Sequence, residues 1–92
     1  MGACATRLDV EVGPGSPYAG LKVEGSAIDV TLINSGQRRA KPVVLPCSYF
    51  DETGAKLTTG LVYFDNLRAG GRSTNRVILA TPKVARGTCK LR

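Results

Sequence analysis

Histidine is absent from the 92 residues, and its absence removes whole classes of chemistry. Ser-His and Cys-His nucleophile activation are excluded, and so are the usual His-ligated zinc and iron sites. Cysteine is scarce: Cys4, Cys47 and Cys89 are the only three, and none form a Cys-x-x-Cys spacing that would suggest structural zinc. No metal or cofactor is implied. An enzyme would have to work with carboxylates, Lys, Tyr or Cys alone, so the chain reads as non-enzymatic. No apolar run approaches the roughly 20 residues that a membrane-spanning helix needs. Repeats and low-complexity tracts are missing, and no segment holds a helical period for three turns.

Acidic residues are missing from the C-terminal quarter. Residues 1–67 hold six Lys/Arg against all seven acids, whereas residues 68–92 hold seven Lys/Arg and no acid, giving a net charge of +6 overall. Such asymmetry is a footprint for an anionic partner, or simply a solvated face that keeps a small domain soluble. The five aromatics all precede residue 65. Nucleic-acid recognition wants exposed aromatics interleaved with the cations, so it is the less favoured partner class.

What the sequence does have is alternation of period two. In "RLDVEV", Leu8, Val10 and Val12 share one face. "GPGSP" breaks the pattern, "LKVEG" resumes it through Leu21 and Val23, and "AIDVTLI" places Ile28, Val30 and Leu32 together. "NSG" at 34–36 signals a turn. In "PVVLPCSYF" one parity holds Val43, Leu45, Cys47 and Tyr49. Pro46 cannot donate to a ladder, so an edge or a bulge is expected on one side of it. "LVYFDNL" (61–67), "NRVILA" and "VARGTCKLR" complete about seven short strands. The pattern predicts an all-β, immunoglobulin-like antiparallel sandwich, with a small OB-like barrel as the alternative. Residues 7–92 form one domain and residues 1–6 a tail. A chain this size buries roughly 60–65% of the surface its unfolded form exposes, so the core is thin.

Cys47 and Cys89 each lie on the apolar parity of their strand. One reading is a disulfide between a middle strand and the last one, worth about 4 kcal/mol in the chain-entropy model and implying an oxidising compartment. The other is two buried thiols acting as small hydrophobes. Cys4 in "MGACAT" admits three readings: a palmitoylation site beside a myristoylated Gly2, the end of a bacterial lipobox carrying a membrane tether, or a loose end after a cloning remnant.

The adjacent carboxylates of "DETG" are the obvious candidates for acid–base work or calcium ligation. They fit a turn better. Asp at the first position bonds back to the backbone and Gly at the fourth supplies positive φ. Calcium would want several more oxygens, which the loop does not offer. Candidate residues for an anionic partner are Arg72, Arg76, Arg86, Lys90 and Arg92, which form one cationic stripe if their strands are neighbours. "Arg38-Arg39-Ala40-Lys41" reads as a solvated loop tip. The strand at 61–67 exposes Val62 and Phe64 if its other parity is buried, leaving a patch that can dock a partner.

The run "AIDVTLINSGQRRAKPVVLPCSYFDETGAKL…LRAGGRSTNRVILA" resembles the FxLYD type of small extracytoplasmic bacterial domain and is similar to periplasmic lipoproteins of the YcfL type. Asn34, Tyr49-Phe50-Asp51, Gly54 and Leu67…Gly70 carry the likeness, over residues 27–80. The resemblance implies a periplasmic, cell-envelope or secreted location and a binding or structural role, with no catalytic residues to transfer. Pro46, the Cys47/Cys89 pair and the basic C-terminal strand depart from the pattern. The expectation is therefore a non-enzymatic module that meets a protein or an anionic envelope surface or polysaccharide. The competing expectation is a nucleic-acid-binding barrel that uses the basic C-terminal strands.

Overall fold

The computed structural model describes residues 7–20 and 22–91. The expected tail at 1–6, with Cys4, lies outside them, as does Arg92. Seven strands form: β1 (Leu8–Val12), β2 (Ser16–Tyr18), β3 (Gly25–Asn34), β4 (Val43–Phe50), β5 (Lys56–Phe64), β6 (Arg72–Leu79) and β7 (Arg86–Cys89). One sheet centres on β3, with β6 on one side and β1 followed by β2 on the other. The second sheet has the order β5-β4-β7, and every pairing is antiparallel. The two sheets pack face to face in the immunoglobulin-like manner expected. They do not close into a barrel, so the OB-like alternative is set aside.

The alternating residues supply the core between the layers. Ile28, Val30 and Leu32 of β3 meet Leu45, Cys47 and Tyr49 of β4 and Val62 and Phe64 of β5, all buried. Each large apolar side chain buried this way contributes about 1.5–3 kcal/mol. The seam between β1 and β7 is shallower, with Leu8, Val10, Val12, Cys89 and Leu91 only partly buried.

Three sequence expectations are corrected or refined. First, Lys22–Glu24 of "LKVEG" form no strand and Val23 is exposed, while Leu21 lies outside the described residues. The strand lies just before it, because Gly-Pro-Gly is a step in the chain and not an end. The Gly13 N–H donates to Asp29 O at 2.9 Å, and the Gly15 N–H crosses to Ala85 O, just before β7 of the other sheet, at 2.9 Å. The chain then rejoins β3 as Ser16↔Ala27. A Cβ on Gly15 would overlap the Val84 carbonyl, so only glycine allows the crossing.

Second, Val62 and Phe64 are buried, and the exposed parity of β5 is Leu61 and Tyr63. Pairing explains this: Val43↔Phe64 and Leu45↔Val62 put those residues on the core face that β4 has already fixed. The strand also starts earlier than expected, at Lys56, and ends at Phe64. Third, Pro46 sits in the central strand of its sheet. Its missing donor faces β7 one residue beyond the last paired position, Cys47↔Cys89, so the ladder loses nothing within its paired length.

Candidate functional site

Cys47 and Cys89 are directly opposed on neighbouring strands and form a disulfide, with Cα atoms 4.0 Å apart. The Lys90 N–H donates to Pro46 O at 3.0 Å, which makes the cysteines a non-hydrogen-bonded pair, the type in which opposed residues approach most closely. The bond lies on the core face and fastens the last strand to the centre of its sheet. A disulfide is compatible with an oxidising compartment.

Asp51 and Glu52 occupy the turn between β4 and β5, as the residue order requires. The Gly54 N–H closes the turn on Asp51 O at 3.1 Å, and Gly54 has φ of 90°. The Asp51 carboxylate accepts from the Thr53 hydroxyl (2.6 Å), the Thr53 N–H (2.8 Å) and the Ala55 N–H (3.1 Å). Those bonds, the Thr53 hydroxyl first, hold its pKa below the usual carboxylate range. The Asp51 carboxylate is thus occupied by its own loop. Among the described residues, no group of three or more His, Cys, Asp or Glu is placed to hold a metal ion.

The candidate cations separate into two sets. Since, among the described residues, β6 pairs only with β3 and β7 only with β4, they lie in different sheets, and Arg72 and Arg76 do not join Arg86 and Lys90 in one stripe. On the β3–β6 sheet, Arg76 Nε is 3.2 Å from Asp29 and Arg72 Nη2 is 3.4 Å from Glu11. These pairs are exposed and add little stability, but they neutralise the two arginines of that face. Arg92 lies outside the described residues.

The outer face of the β5–β4–β7 sheet has a different composition. Its outward positions are Leu57, Thr59, Leu61 and Tyr63 on β5, Val44, Pro46, Ser48 and Phe50 on β4, and Arg86 and Thr88 on β7, followed by Lys90. None is acidic. Leu61 is 73% exposed, Tyr63 57% and Val44 49%, which is unusual for neighbouring large apolar groups. Arg86 lies over the Phe50 ring, 5.9 Å from its centroid, in a cation–π contact that keeps the charge at the surface. The result is an apolar centre with a basic flank.

Two polar positions had more to do than the sequence suggested. Asn34, read as a turn residue, is fully buried. Its Nδ2 donates to Arg38 O (2.8 Å) and Leu67 O (3.0 Å), while its Oδ1 accepts from the Gly36 N–H (3.0 Å). Ser26 plays a similar part at the other end of β3, donating to Thr81 O and accepting from the Val84 N–H. A hollow of about 740 Å³ lies at that same end between Tyr18, Glu24, Glu52, Thr53 and Lys83. Asp51 also lines it, with its carboxylate already committed to the turn. Comparison with protein-family models, curated proteins and solved structures gives no match to the chain.

Proposed function

We propose that this domain is a non-enzymatic binding or structural module of a bacterial envelope or secreted protein, and that it docks on an anionic partner through the outer face of the β5–β4–β7 sheet. The observation that carries this reading is the composition of that face: exposed Val44, Leu61 and Tyr63 beside Arg86 and Lys90, with no carboxylate among its outward positions. An acidic protein, lipid or polysaccharide surface complements such a face; base recognition would need open aromatic faces between the cations, whereas the Phe50 ring lies under Arg86 and Tyr63 stands apart from them. The disulfide and the resemblance of residues 27–80 to small extracytoplasmic domains support the compartment. In this reading, Cys4 is the place for a lipid tether.

The test is charge reversal on each face separately. Arg86→Glu with Lys90→Glu should abolish retention on vesicles containing anionic lipid and on a sulfated polysaccharide matrix. Arg72→Glu with Arg76→Glu, an equal change in net charge, should leave most of it. Equal losses from both pairs would mean that only net charge matters. Preference for DNA or RNA over the other polyanions, weakening steeply with salt, would replace the envelope reading with nucleic-acid binding.

A further inference from the structure

Both sheets are open, so each has two edges: β5 and β7 in one, β6 and the β1–β2 line in the other. Exposed edges invite pairing with other chains, and proteins usually guard them with charge or proline. Three of these edges follow that rule, with Asp9 and Glu11 in β1 and Pro17 in β2, Arg72 and Arg76 in β6, and Arg86 in β7. The fourth does not. Leu57–Phe64 of β5 has neither a charge nor a proline, and at nine residues β5 is the longest edge strand.

The open side of β5 is also the polar side of its backbone. The bond from Lys90 to Pro46 shows that even-numbered β4 residues direct their backbone groups at β7, so odd-numbered ones face β5. Their opposites on β5 are Thr58, Gly60, Val62 and Phe64. Backbone groups of Thr59, Leu61 and Tyr63 therefore point away from the sheet, while Leu57 is the extra residue where the register shifts between Tyr49 and Phe50. Two side-chain bonds reach this edge, from Asn75 Nδ2 to Tyr63 O at 2.6 Å and from Thr58 Oγ1 to Thr59 O at 3.4 Å. The outward N–H groups receive neither.

We infer that β5 pairs antiparallel with β5 of a second copy, about a two-fold axis perpendicular to the sheet, so that two three-stranded sheets become one of six. The identity of the occupant follows from the ends of the strand. Lys56 opens the uncharged run and Asp65 closes it. A foreign strand of one charge would suit one end only, whereas a second copy laid antiparallel suits both. Residues opposed across such an axis must share a face, so the register centres on a residue. Centring on Gly60 sets Thr59 against the partner's Leu61 on both sides of the axis, with the bulged Leu57 beside the partner's Tyr63. Lys56 then stands one residue from the partner's Asp65, at both ends. The apolar side chains that are exposed in one copy become cross-strand pairs in two. One strand edge is a small interface, so the dimer is weak and concentration-dependent. It leaves Arg86 and Lys90 free and does not depend on the proposed anionic partner.

Sedimentation equilibrium of the full chain, with Cys4 alkylated so that no thiol-linked dimer is scored, tests this from about 10 µM to about 1 mM. A monomer–dimer equilibrium is expected. Thr59→Pro removes an N–H used only in the dimer and should abolish association with the far-UV spectrum unchanged; Leu61→Lys should do the same. Lys56→Glu should weaken the dimer roughly tenfold, and Lys56→Glu with Asp65→Lys should restore it. A monomer at every concentration overturns the proposal. So does a dimer that Thr59→Pro and Leu61→Lys leave intact, since its interface must then lie elsewhere.

Discussion

The side-chain amide of Asn34 donates to the main-chain carbonyl of Leu67, 3.0 Å away and three residues beyond the end of β5. The same carbonyl accepts from the Ala40 N–H at 2.8 Å. Asn34 thus closes one end of the molecule, holding the 35–39 loop through Arg38 O and Gly36 N–H and the exit from β5 through Leu67. The neighbouring backbone adds to the closure, because the Asn34 N–H donates to Gly71 O and the Gly70 N–H to Asn34 O.

A residue that only shaped a turn would be cheap to replace. Asn34 is buried with every hydrogen-bonding atom of its side chain engaged, so Asn34→Ala leaves a cavity and an unpaired carbonyl at Arg38. The expected loss is about 2–3 kcal/mol in urea denaturation. A loss below about 1 kcal/mol would reduce Asn34 to the local turn residue that its sequence context suggests.

The disulfide spans 42 residues of sequence and ties an edge strand to the centre of its sheet. Closing a loop of that length is worth about 4 kcal/mol in the chain-entropy model. Reductant should therefore lower the stability of the protein by about that amount, and Cys47→Ala with Cys89→Ala should behave like the reduced protein. Alkylation before reduction should add one label, at Cys4, and after reduction three. Labelling of Cys47 or Cys89 without reductant would disprove the bond in solution.

The strands that could be read in the sequence were those with one apolar parity. In β3 and β4 the alternation names the core face, and it carries Cys47 and Cys89 to the same side with it. "DETG" fixed the turn for the same local reason. Strand β5 resisted because "LVYF" is apolar at every position, so parity there is set by pairing with β4. Tyrosine is no guide either: β5 exposes Tyr63, but β4 buries Tyr49 and half-exposes Phe50. The buried Tyr49 hydroxyl has no hydrogen-bond partner among the described residues, so parity overrode its preference for water. The cationic residues failed for a longer-range reason. Alternation says which face Arg76 and Arg86 take within a strand, but it does not say which strands pair. Asn34 was visible as a turn signal, while its contact with Leu67, 33 residues later, was not.

Asp51 gives the turn a pH dependence whose direction can be worked out. Its folded pKa is depressed below the ordinary 3.8, chiefly by the Thr53 hydroxyl and then by the Ala55 N–H, so these bonds favour the ionised form. A group depressed on folding contributes stability in full above its unfolded pKa. That contribution is lost as pH falls from about 3.8 through the lower folded value. Asp51→Ala should accordingly be less stable than the unmodified protein at neutral pH, and its Tm should fall less steeply as the solution is acidified through that range. The two curves should draw together at the acid end, where the protonated Asp51 no longer accepts as a carboxylate. Thr53→Val, which removes the hydroxyl and keeps the charge, should reproduce part of the neutral-pH loss. Parallel curves for Asp51→Ala and the unmodified protein at every pH would mean that ionisation of Asp51 does not hold the turn, and the carboxylate would again need another explanation.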